Sequence, residues 1–141
     1  MKSVNPYLSF NGNTEEAFKF YQSVFGGELQ MVRFRDMADI MGASEEHLDK
    51  IANVGLPLEG GSMLMGDDGA AVMGQPLTVG NNVSINLEAE SAEEAERLFH
   101  GLAAGGQTTM PLEETEWAEK FGMLTDRFGI NWSVNYTGKK A

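Results

Sequence analysis

Asn13-Thr14-Glu15-Glu16-Ala17 and Ser91-Ala92-Glu93-Glu94-Ala95 are two copies of one pattern, and their recurrence decides the fold. Each sets a helix-capping residue three positions before a Glu, the arrangement of a capping box. In the first copy Ala17, Phe20, Tyr21 and Val24 follow at helical spacing. In the second, Ala95, Leu98, Phe99 and Leu102 fall at the same relative positions. Both read as amphipathic helices with one apolar stripe. Both run out into paired glycines, Gly26-Gly27 and Gly105-Gly106, suited to a left-handed cap.

Outward from each helix the period changes from helical to two. Tyr7 to Phe10 precedes the first helix and Val83 to Leu87 the second, each alternating as a strand does. Strand-like runs follow at 28–35, 50–58 and 62–65, then at 107–112, 120–125 and 130–136. The order strand–helix–strand–strand–strand thus occurs twice. The reading is one α+β domain over 1–141, built of two tandem βαβββ modules. Module one covers about 1–68, a Gly-rich linker about 69–80, and module two about 81–138. Neither small sheet can bury both faces alone. The expectation is an incomplete barrel around a central cavity, with the helices outside and Phe20, Tyr21, Leu98 and Phe99 as core. The stretch 36–49 reads as a surface-packed helical piece, with a flap carrying Met37, Ile40 and Met41 as the alternative.

Composition narrows the function. The net charge is −11, which disfavours nucleic acid and anionic membranes, since both recruit Lys and Arg. There is no cysteine, so disulfides, thiolate ligands and a cysteine nucleophile are excluded. No apolar leader and no run of about 18 apolar residues is present, so the expected location is the cytoplasm. Nine methionines offer adaptable apolar surface.

Several runs then carry a family resemblance. They are Asn5-Pro6-Tyr7-Leu8-Ser9-Phe10-Asn11-Gly12-Asn13, Glu15-Glu16-Ala17-Phe18, Phe20-Tyr21 and Phe25-Gly26-Gly27-Glu28. In the middle stand Asp49-Lys50-Ile51, Leu56-Pro57 and Leu64-Met65-Gly66 with Asp68. Trp117, Phe121-Gly122-Met123-Leu124-Thr125-Asp126, Phe128-Gly129 and Trp132 close the set. Together they resemble PhnB-like proteins of the glyoxalase/bleomycin-resistance (vicinal-oxygen-chelate) superfamily, over nearly the whole chain. Some relatives are labelled demethylubiquinone methyltransferase-like. This chain has no glycine-rich strand–loop–helix of the kind that holds a nucleotide-like methyl donor.

The resemblance implies a divalent metal held by His, Glu or Gln on inward strand positions, two from each half. At the matching places this chain has Pro6 or Tyr7, Asn53, Ser84 and Ser133. These are poor ligands for zinc, iron or manganese. His47 and His100 fall elsewhere and read as solvated. The expectation is no metal and no cofactor. The candidate ligand-binding residues are Asn53, Met63, Met65, Ser84, Asn86, Trp117, Trp132 and Ser133, with Asn135 sharing the Ser133 face. Glu113, Glu114, Glu116 and Glu119 read as a solvated run, of which Glu116 or Glu119 could turn in beside Trp117. Three functions fit: a small-molecule binding protein with a metal-free cavity, a metal-dependent lyase, isomerase or dioxygenase, or a subunit acting through association. The resemblance also implies a homodimer.

Overall fold

The computed structural model describes residues 1–37 and 45–141. The expected flap residues Ile40 and Met41 lie outside them. The chain divides into two compact units, Met1–Thr78 and Val79–Ala141.

Unit one runs β1 (Tyr7–Ser9), α1 (Thr14–Phe25), β2 (Gln30–Arg33), β3 (Ile51–Pro57), β4 (Met63–Asp67) and a single turn, α2 (Gly69–Val72). Unit two runs β5 (Ile85–Glu88), α3 (Ala92–Ala103), β6 (Gln107–Glu113), β7 (Lys120–Thr125) and β8 (Asn131–Tyr136). Each unit holds one four-stranded open sheet, ordered β1-β4-β3-β2 and β5-β8-β7-β6. In both, the first strand pairs parallel with the last and the other pairs are antiparallel. The α+β class and the repeated βαβββ order stand as read. The linker differs in detail, because α2 occupies its start.

Each helix covers one face of its own sheet. On α1 the buried side chains are Thr14, Ala17, Phe18, Tyr21 and Val24. The expected Phe20 is half-exposed and Phe18 takes its place. The reason lies in the strand beneath. A Cβ at Gly66 would stand 2.8 Å from Phe18 Cε1, so the ring seats where the sheet lacks a side chain. Phe18 then meets Tyr21 and Phe10 edge-on, at 5.5 and 6.3 Å between centroids. On α3 Ala95, Leu98, Phe99 and Leu102 are buried as the spacing predicts.

The two helix starts are satisfied differently. Ser91 Oγ accepts from Glu94 N at 3.0 Å, and Glu94 returns a carboxylate oxygen to Glu90 N at 2.9 Å. This is a capping box shifted by one residue. Asn13 makes no side-chain cap. Asp68, from the far end of β4, does the work instead. Its Oδ1 accepts from Gly12 N and Thr14 N, each at 3.1 Å, and from the Thr14 hydroxyl. Its Oδ2 accepts from Ile51 N at 2.9 Å.

One ion-pair group makes stability depend on pH. Glu15 receives both terminal nitrogens of Arg33, at 2.8 and 2.9 Å, and lies 3.1 Å from Lys19. Hydrogen bonds from Arg33 and then Lys19 pull its carboxyl down to about 2. A depressed folded value stabilises above the ordinary carboxylate range and is lost as pH falls through it toward about 2. The group is part-exposed, so the contribution is below about 1 kcal/mol. Urea titrations at pH 7 and pH 3 should show a smaller pH loss in Glu15→Gln than in the parent.

Candidate functional site

With one face of each sheet packed on its helix, strand alternation assigns the other face its side chains. In unit one, register lines up Tyr7, Met65, Gly55 and Gln30 across the sheet. Beside them, Ser9 pairs with Asp67 and Asn53 with Val32. Tyr7 Oη donates to Asp67 Oδ2 at 2.6 Å, and Asn53 Nδ2 donates back to Tyr7 Oη at 3.4 Å. Burial, then the hydrogen bond to Asp67, pushes the Tyr7 phenol up, so it stays a donor near neutral pH. Met63 lies over Gly55, where a Cβ would come within 2.8 Å of its sulfur. The face therefore pairs a phenol–carboxylate–amide chain with two thioethers.

In unit two the corresponding rows are Glu88–Asn135–Phe121–Glu113 and Asn86–Ser133–Met123–Met110. The strand-end bonds fix the correspondence: Phe10 N donates to Asp67 O, and Ala89 N to Asn135 O. Asp67 and Asn135 are thus equivalent places in the repeat. Ser133 Oγ donates to Asn86 Oδ1 at 2.7 Å, and Asn86 Nδ2 to Glu88 Oε1 at 2.8 Å. Asn135 Nδ2 donates to Glu88 Oε2 at 2.9 Å and to Thr137 Oγ1 at 3.1 Å. Its Oδ1 is buried without a donor. Trp117 stacks edge-on against Phe121, with ring centroids 5.3 Å apart.

Of the residues expected from sequence, Asn53, Met63 and Met65 meet on the open face of sheet one. Asn86 and Ser133 meet on that of sheet two. Ser84 lies before β5 and is exposed, so Asn86 is the strand counterpart of Tyr7. Trp117 is 55% exposed, beside β7's Phe121. Trp132 does not join the set. It follows Asn131 and precedes Ser133 on β8, so alternation turns it to the helix side. There it is 0% exposed, with Nε1 donating to Asp126 Oδ2 at 2.8 Å. Glu119 does not turn toward Trp117; its carboxylate accepts from Lys139 N at 2.6 Å.

Sequence reasoning passed over Asp67, Glu88 and Phe121. The signal was available: Asp67 is two residues past Met65, and Glu88 two past Asn86. His100 is exposed and paired with Glu96 at 2.9 Å. His47 departs from the expected solvated histidine, its side chain being only 23% exposed.

Among the described residues no three His, Cys, Asp or Glu side chains are grouped to hold a metal. Each open face offers amides, hydroxyls and thioethers beside one carboxylate already engaged by neighbours, Asp67 or Glu88, with Glu113 at the far edge of sheet two. This donor set does not fit the divalent centre that the resemblance implies. Nor does the start of α1 offer a phosphate cradle. Its loop carries one glycine, and the Gly12 and Thr14 N–H groups are taken by Asp68.

The paired βαβββ units share the fold of a glyoxalase/bleomycin resistance protein/dioxygenase family enzyme from Burkholderia phytofirmans PsJN. It is 20% identical with a TM-score of 0.62, over 95% of this chain and 99% of that one. Residues 2–135 match the family model described as 3-demethylubiquinone-9 3-methyltransferase, and the chain belongs to that family. Protein PA1353 from Pseudomonas aeruginosa is 41% identical with a TM-score of 0.86, over 96% of this chain and 98% of that one. A PhnB protein from Bacillus cereus is 26% identical with a TM-score of 0.73, over 96% and 99%.

Proposed function

We propose that this chain binds a small organic molecule on the sheet faces turned away from α1 and α3, without a metal. One observation carries the reading. The Tyr7–Asp67–Asn53 chain and the Ser133–Asn86–Glu88–Asn135 chain lie beside methionines, on faces their helices leave free. Polar groups that fix orientation beside adaptable apolar ones are the usual lining of a ligand site. A metal-dependent lyase, isomerase or dioxygenase would need a donor set these faces do not supply.

We place the protein in the cytoplasm as a homodimer. Supporting the location are the absent cysteines and a described chain in which no helix is long and apolar enough to cross a membrane. The dimer rests on the family resemblance, and light scattering at twice the chain mass is the expected result.

The test is a thermal-shift screen of small organic compounds, run with and without EDTA. A true ligand at a hundred times its Kd stabilises by about 2.7 kcal/mol. For a chain of this size that raises Tm by about 8 °C. The shift should survive EDTA, and elemental analysis of purified protein should find no stoichiometric zinc, iron, manganese or nickel. A shift that EDTA abolishes and one divalent metal restores would overturn the reading.

A further inference from the structure

The geometry points to a cationic ligand: a protonated amine on an aromatic or apolar body, held on the open face of sheet two. This rests on the small-molecule reading above and adds the charge and the address.

The row Glu88–Asn135–Phe121–Glu113 crosses the sheet from edge to edge. It sets a carboxylate at each end, with an amide and an aromatic ring between. Neither Glu88 nor Glu113 has a cationic partner among the described residues. Glu88 is oriented nonetheless, because Asn86 and Asn135 each donate to one of its oxygens. A carboxylate held this way presents its charge in a fixed direction.

Asn135 is an independent mark of this place, an acceptor still lacking a donor. It is 6% exposed, and both N–H bonds of its amide are used, yet Oδ1 has no donor. Turning the amide over would set its oxygen against the Glu88 carboxylate, so this orientation is the stable one. A buried acceptor left empty is costly, because its lost hydrogen bond to water is not replaced. An ammonium carries three donors and no acceptor, which suits an orphan carbonyl oxygen beside a carboxylate. A ligand anion would meet Glu88 and Glu113 with no compensating cation.

The aromatic pair fits the same chemistry. Phe121 stands directly beside Asn135 in register, and Trp117 leans on it. Ring faces attract cations and take up apolar bodies. The chain's net charge of −11 draws cations from solution as well.

The experiment compares 4-phenylbutylamine, 4-phenylbutan-1-ol and 4-phenylbutyrate, which share a body and differ in charge. Each is titrated into the full chain by NMR at low and high salt, following the backbone amides of Glu88, Phe121 and Asn135. The amine should bind about tenfold tighter than the alcohol at low salt, and the acid weakest. Glu88→Gln should bring amine and alcohol within about twofold of each other. Equal affinity of amine and alcohol in the parent, or shifts confined to other residues, overturns the cationic assignment and leaves small-molecule binding standing. No binding by any of the three overturns the assignment, and the general reading then falls or stands on the thermal-shift screen.

Discussion

Asp68→Ala is expected to cost about 4 kcal/mol, much of the stability of a chain this size. Asp68 is 1% exposed, and its two oxygens take the start of α1 and the start of β3 together. Alanine leaves the N–H groups of Gly12, Thr14 and Ile51 and the Thr14 hydroxyl without that acceptor, in a place water reaches poorly. Unpartnered buried donors each cost about 1–3 kcal/mol. The controls separate this from ordinary capping. Asn13→Ala should be nearly neutral, since Asn13 makes no cap bond. Ser91→Ala should cost about 1 kcal/mol, the usual loss of an N-cap. Urea unfolding of the three variants checks the order. An Asn13 cost equal to that of Asp68 would show that the cap is local after all.

Trp132→Ala should be as damaging, at about 4 kcal/mol. The indole is wholly enclosed on the helix side of sheet two, and its Nε1–H meets Asp126. Truncation opens a cavity and removes a donor from a buried carboxylate. Trp132→Phe keeps most of the volume and should cost about 2 kcal/mol, mostly the hydrogen bond. If Trp132 lined a ligand face instead, Phe would change affinity more than stability. Paired urea and ligand titrations on Trp132→Phe distinguish the two.

The repeat, the order of strands and helix along each unit and the α3 stripe were legible from residue spacing. They follow from periods of 3.6 and 2, which are local properties of the chain. Part of the site was legible for the same reason. Asn86 and Ser133 share a face with their neighbours two residues away, and register joins them. Trp132 lies on the helix side because alternation along β8, rather than its aromatic character, sets its face. Ser84 was counted as a strand residue although β5 begins one position later.

What the sequence determined by itself was this duplicated local grammar, together with the cysteine-free, acidic composition. Tertiary structure decided how each local offer was used. Phe18 displaced Phe20 because Gly66, on another strand, left room for its ring. Asp68 replaced Asn13 as the acceptor for Thr14 from 54 residues away. Asn135 gave its amide hydrogens to Glu88 and Thr137, leaving its oxygen empty. Spacing along the chain fixes which face a side chain takes. Only the folded packing fixes what it finds there, because those partners are distant in sequence and compete for the same few hydrogen bonds.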